Sequence, residues 1–205
     1  MAHLVNALKN LVPPRHRVRL RKALGAEHWC RVVMNQEVKK FIQSLECARL
    51  DVLEISGQRE NEFNFHSYRT VDYPEYDICD RPLASESFDL IIAEQVFEHI
   101  QHPSRAASHV FQMLRPGGIF VITTPFLVKI HPIPLDCYRW TKDGIRILLE
   151  NAGFSILKTG SWGNRQCLMR DLKPGMEWAY YIPGIHSLKN EPQLPIVIWA
   201  FARKP

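Results

Sequence analysis

A chain of 205 residues fits one domain, and at that size folding buries roughly 70% of the surface of the extended chain. Hydrophobic residues at 46% and charged residues at 23% exclude a fibrous repeat or a largely disordered chain. The net charge of +5 is uneven: residues 1–50 hold ten Lys and Arg against three Asp and Glu, which leaves the remainder slightly acidic.

The first segment in chain order, residues 1–33, carries that basic character. Its densest part is Arg15, Arg17, Arg19, Arg21 and Lys22, interleaved with Val18, Leu20 and Leu24. Such a cluster reads as a solvated helix face or as a surface for an anionic partner such as a membrane or a phosphorylated substrate. Without interleaved aromatic residues or a recognisable nucleic-acid module, nucleic acid is not the expected partner. No apolar run approaches the ~18 residues of a membrane span, and the N-terminus lacks a signal-peptide core with a cleavage site. Cys30, Cys47, Cys79, Cys137 and Cys167 form no C-x-x-C pair. Reduced thiols in a cytoplasmic protein, with no metal site, are therefore expected.

Residues 34–205 read as the domain proper. Val38, Phe41, Ile42 and Leu45 recur at helical spacing, and Asp51 to Ile55 forms a short apolar run that enters a turn at Ser56-Gly57. Phe88 to Ala93 is a second buried strand, followed by Val96, Phe97 and Ile100 on a helical turn. Pro103 opens a helix with Ala106, Val110, Met113 and Leu114 on one face, and Pro116-Gly117-Gly118 stops it before the strand Ile119 to Thr123. Thr141 caps a helix carrying Ile145, Ile147, Leu148 and Leu149, with its stop at Asn151 to Gly153. Phe154 to Leu157 and Ile196 to Ala202 are the last strands. Alternating strands and helices imply an α/β fold, Rossmann-like and doubly wound. A mostly parallel sheet then carries helices on both faces, and ligands bind at the carboxyl ends of its strands.

At those strand ends the chain resembles the class I S-adenosylmethionine-dependent methyltransferases, from Asp51 onward. Asp51-Val-Leu-Glu-Ile is similar to the family's first motif. Tyr76-Asp77-Ile-Cys-Asp80 through Ser87-Phe88-Asp89 is similar to its third-strand segment, and Leu114-Arg-Pro-Gly-Gly-Ile-Phe-Val-Ile to its fifth-strand entry. The resemblance implies S-adenosylmethionine as cofactor and a site in which Glu54 organises its amino-acid end, with Ser56 and Gly57 in the adjoining loop. It further implies Asp72 at the ribose hydroxyls, Asp77 and the Ile78 backbone at the adenine edge, and Glu94 and Gln95 beside the methionine part. The departure lies in the first loop, where Ser56-Gly57-Gln58-Arg59-Glu60 stands in place of a G-x-G turn. Only Gly57 is left to let backbone approach a ligand closely. A non-catalytic protein of the same fold is the alternative that this loop raises.

The loop also lacks the G-x-G-x-x-G fingerprint of a dinucleotide enzyme. Tyr138 and Lys142 have the Y-x-x-x-K spacing of short-chain dehydrogenases, but a helix capped at Thr141 leaves Tyr138 outside it. Residues 126–140, rich in proline and polar groups, are expected to line the substrate mouth, and the family resemblance implies a small-molecule or saccharide acceptor methylated on oxygen. There His131 is a candidate base, Asp136 its orienting partner, and Tyr138, Arg139 and Trp140 acceptor contacts, with His99 a second candidate base. Residues 163–194 form an insertion between the last two strands whose Trp178, Tyr180 and Tyr181 either cap the acceptor or pack onto the sheet.

Overall fold

The computed structural model describes residues 27–57, 62–132, 134–173 and 178–205. The basic cluster from Arg15 to Lys22 and the loop residues Gln58, Arg59 and Glu60 lie outside them. A 3-10 turn, Trp29–Arg31, runs directly into helix α1, Val32–Gln43, whose Val32, Met34, Val38 and Ile42 are buried at helical spacing. Strands β1 (Asp51–Ile55), β2 (Ser67–Val71) and β3 (Phe88–Glu94) follow, then helix α2 (Pro103–Met113) and strand β4 (Leu114–Pro125). Helix α3 (Lys142–Asn151), strand β5 (Ser155–Trp162), helix α4 (Arg165–Asp171) and strand β6 (Val197–Arg203) complete the order.

The six strands form one mixed sheet in the order β2-β1-β3-β4-β6-β5. The β1–β2, β1–β3 and β3–β4 pairs are parallel, and β6 runs antiparallel to both β4 and β5. Because successive strand residues face opposite sides, each strand feeds two cores. Leu53, Ile91, Phe120 and Ile122 pack with Ala106 and Val110 of α2 and Ile145 and Leu149 of α3. Val52, Leu90, Ile92 and Val121 pack on the other face with Met34, Val38 and Ile42 of α1 and Cys167 of α4. The expected Rossmann-like sheet with helices on both faces is therefore present.

Several local expectations change. Ser67–Val71, with the exposed pattern of an edge strand, carried too little apolar signal to be recognised as β2. Tyr76 to Asp80, expected in a third-strand segment, forms turns, and no strand lies between Asp72 and Ser87. Pro74 and Pro82 interrupt that stretch, so the third strand in chain order is Phe88–Glu94 and the segment expected to enter a fifth strand enters the fourth. Pro116-Gly117-Gly118 lies within β4 rather than between helix and strand, because β4 already pairs with β3 at Phe88 opposite Leu114. Thr141 does cap α3, accepting a hydrogen bond from Gly144 N at 3.0 Å, and Gly153 supplies the positive φ of +101° that ends it. All five cysteines are free, with Cys30, Cys79 and Cys167 buried.

Candidate functional site

The register brings the expected donor residues to one edge. Ile55 pairs with Val71 on one side and with Ala93 on the other, so β1, β2 and β3 end level and release their loops together. Glu54, 1% exposed, lies one residue before the end of β1 and accepts a hydrogen bond from the Tyr68 hydroxyl on β2. Gly57 is there because of it: a Cβ at Gly57 would stand 2.2 Å from Glu54 Oε1. The single glycine of the loop thus makes room for the buried carboxylate. Ser56 between them takes φ of +56° and donates its N–H to Val71 O at 2.7 Å, which ties the end of β1 to the end of β2.

Asp72 follows β2 directly and, with Val71, Tyr76 and Leu83, lines an open cleft of about 400 Å³. Its carbonyl accepts from Tyr76 N, closing the turn that leads to Asp77. Asp77 Oδ1 accepts from Cys79 N at 2.8 Å, a local turn that fixes one carboxylate oxygen. Ile78 is buried, and its carbonyl is taken by His109 Nδ1 at 2.6 Å. Glu94 ends β3 opposite Thr123. Gln95, with φ of +56°, is anchored through its backbone N–H to Thr123 O and through its side chain to Thr123 Oγ1.

The residues expected on the acceptor side gather on the neighbouring loops, after β3 and β4. His131 donates its backbone N–H to Asp136 Oδ2 at 3.0 Å, and Asp136 is held by two nitrogens of Arg139. The hydrogen bonds from Arg139, together with the His131 N–H, draw the Asp136 carboxyl down to about 2. Arg139 also donates to Lys129 O and Tyr138 O, so its guanidinium is committed to the loop and its charge is matched by Asp136. Burial lowers the pKa of His131. Tyr138 and Trp140 stack with ring centroids 5.3 Å apart. Tyr138 precedes α3 and so shares no helical face with Lys142, which removes the dehydrogenase reading.

Glu98 was missed as a site residue. It is fully buried in the turn after β3, its carbonyl accepts from Cys137 N and Tyr138 N, and neither of its carboxylate oxygens has a hydrogen-bond partner. Burial pushes its carboxyl up to about 7. Its Oε1 is 3.7 Å from His99 Nε2, and the His99 ring meets that of His131 edge-on at 5.2 Å. The signal was present in the sequence as an acid placed among Val96, Phe97 and Ile100, all three apolar and buried. On the far side His131 meets Trp178 edge-on at 5.9 Å.

Residues 38–122 match the model of a family described as a methyltransferase domain. A protein of Mycolicibacterium smegmatis named as a probable S-adenosylmethionine-dependent methyltransferase is 32% identical over 98 residues, 45% of this chain and 38% of that protein. Over this stretch the chain is similar to the S-adenosylmethionine-dependent methyltransferases. The malonyl-[acyl-carrier protein] O-methyltransferase of a Paenibacillus species is 31% identical over 81 residues, 38% of this chain and 28% of that protein. The chain thus matches 38% and 28% of the length of these two curated relatives. Among solved methyltransferases, the S-adenosylmethionine-dependent enzyme of Methanosarcina mazei superposes with a TM-score of 0.52 at 10% identity, over 80% of this chain and 96% of that one, a likeness of fold. The methyltransferase family match covers β1, β2, β3, α2 and most of β4, the elements whose ends carry the donor-side residues.

Proposed function

We propose that this protein transfers a methyl group from S-adenosylmethionine to a hydroxyl of a small-molecule or saccharide acceptor. The observation that carries the reading is the common edge: Glu54, Asp72 and Gln95 stand at the level ends of three adjacent parallel strands. A zwitterionic amino acid and a ribose diol ask for carboxylates and close backbone along such an edge. Glu54, Ser56 and Gly57 would hold the methionine end with Glu94 and Gln95, Asp72 the ribose diol, and Asp77 and Ile78 the adenine edge.

The sulfonium methyl is already activated, so transfer is an in-line displacement in which positioning supplies much of the rate. The acceptor would lie between the turn Phe97–His99 and residues 126–140, with the Tyr138–Trp140 pair available to stack on a ring. His131, kept neutral near pH 7 by burial, has a lone pair to take the proton that leaves the hydroxyl, with Asp136 orienting it and His99 as the alternative base. The O-methyltransferase name of the Paenibacillus relative supports oxygen as the methylated atom.

Calorimetric titration with S-adenosylmethionine and S-adenosylhomocysteine, on the wild type and on Asp72→Ala, tests the donor site. Micromolar binding, weakened at least about tenfold in the variant, is expected from the loss of a charge-assisted contact. No binding of either ligand would overturn the reading. A second reading, a non-catalytic protein of the same fold, is favoured by the Ser56-Gly57 loop, which departs from the usual two-glycine turn. Cofactor binding without transfer to any of a broad panel of hydroxylated acceptors would select it.

A further inference from the structure

We infer that Glu98, His99 and His131 form a binding site for a divalent transition-metal ion of the zinc type. One carboxylate oxygen and one ring nitrogen from each histidine all lie within 4.8 Å of one another. No spacing along the chain signals a metal, because His131 is 32 positions beyond His99 and joins it only through the pairing of β3 with β4.

Three features make this a built site. The first is the orphaned Glu98 carboxylate, fully buried with neither oxygen hydrogen-bonded. An ionised carboxylate left so is strongly disfavoured by lost solvation, and a cation beside it offsets that cost. The second is the set of the two histidine rings. His99 Nδ1 lies against Leu135 O and His131 Nδ1 lies 3.2 Å from Lys129 O, so each ring donates its Nδ1 proton to a backbone carbonyl and leaves Nε2 as a lone pair. Metal-binding histidines are fixed in this way, by an outer partner that sets the tautomer. The third is the competing charge: of the two cations that act electrostatically on Glu98, Arg31 and Arg139, neither hydrogen-bonds its carboxylate, and Arg139 is already paired with Asp136.

Two imidazoles and one carboxylate suit zinc, cobalt, nickel or iron(II) better than magnesium or calcium, which prefer oxygen donors. Bond lengths of about 2.0–2.2 Å put tetrahedral ligand atoms about 3.4 Å apart, so the cluster must tighten by about 1 Å on binding. His131, on the loop after β4, is the ligand placed to move. Three protein ligands leave coordination positions open. If the proposed methyl transfer is correct, an acceptor oxygen would enter one of them and lose its proton to water more readily there; with both histidine lone pairs on the metal, this would take the place of His131 or His99 as base.

The test measures metal directly, so it stands or fails apart from methyl transfer. The full chain is stripped with chelator, dialysed, and titrated with Zn²⁺ and Co²⁺, with Mg²⁺ as the contrast and with metal content read by elemental analysis. About one equivalent of Zn²⁺ or Co²⁺ per chain is expected, with a visible Co²⁺ absorption that marks nitrogen and oxygen ligation. His131→Gln and Glu98→Gln should each weaken binding at least about 100-fold, a larger loss than removing an outer-shell partner gives. His66→Ala, an exposed histidine on the strand β2 side, should leave it unchanged. Circular dichroism checks that each variant is folded, and His131→Gln, a loop substitution, serves if Glu98→Gln is not. No stoichiometric binding, binding of Mg²⁺ alone, or binding that survives His131→Gln would overturn the inference.

Discussion

Gly57 and Glu54 show how one residue can dictate another's identity. The Glu54 carboxylate fills the space a side chain at position 57 would need, so Gly57→Ala must displace either the loop or the carboxylate. We expect it to cost about 1–3 kcal/mol of stability, read by urea unfolding, and to weaken S-adenosylmethionine binding in the same calorimetric titration. Tyr68→Phe removes a donor to a carboxylate that is 1% exposed while keeping the ring in place. It should cost about 1–3 kcal/mol, the usual penalty when a buried polar group loses its partner. A Tyr68→Phe variant as stable as the wild type would mean that the remaining contacts of Glu54 carry it unaided.

The strands are pinned at the end away from the candidate site. Asp51 at the start of β1 accepts from Ser67 Oγ on β2 at 2.6 Å, and Arg115 on β4 bridges Asp51 and Asp89 on β3 at 2.9 and 2.7 Å. The hydrogen bonds from Ser67 and Arg115 lower the pKa of Asp51. Because the folded value lies below the unfolded one, this carboxylate contributes stability above the ordinary aspartate range near 3.9, and loses it as pH falls through the folded value. Asp51→Asn should therefore lower the melting temperature at pH 7 and converge with the wild type as pH falls through the lowered folded value. A constant gap across that range would place the stabilisation in packing. At the other end of the chain order, Thr141→Ala removes the cap of α3 and should cost about 1 kcal/mol in thermal unfolding.

At the scale of the molecule, residues between β5 and β6 close the second core. Asn164, 2% exposed, donates to Ser187 O and Lys189 O and accepts from Cys167 N. Trp29 and Trp162 donate their indole N–H groups to Ser187 O and Leu188 O, and Trp29 stacks on His186 with centroids 4.0 Å apart. Packing onto the sheet is thus realised by this segment, while Trp178 alone of its expected aromatic cap meets His131. Asn164→Ala should cost about 2 kcal/mol by orphaning Lys189 O and Cys167 N, while Ser187 O keeps the Trp29 indole. Hydrogen exchange over residues 187–191 should speed up in that variant, while β1 and β3 keep their protection.

The sequence by itself determined the elements that repeat a strong local pattern. The apolar runs of β1, β3 and β6, the amphipathic α2 and α3, and the Thr141 cap are all set by neighbours within a few residues, so period and capping chemistry reveal them. It also placed acids at the ends of two of those runs, since Glu54 lies one residue before the end of β1 and Glu94 ends β3. Tertiary structure decided the rest. β2 is a strand because β1 offers it an edge, Gly57 is required because Glu54 turns toward it, and Arg139 is neutralised by an aspartate of its own loop. The meeting of Glu98 and His99 with His131 depends on two loops that separate strands bring side by side. Contacts of that kind are fixed by sheet register, which no spacing along the chain records.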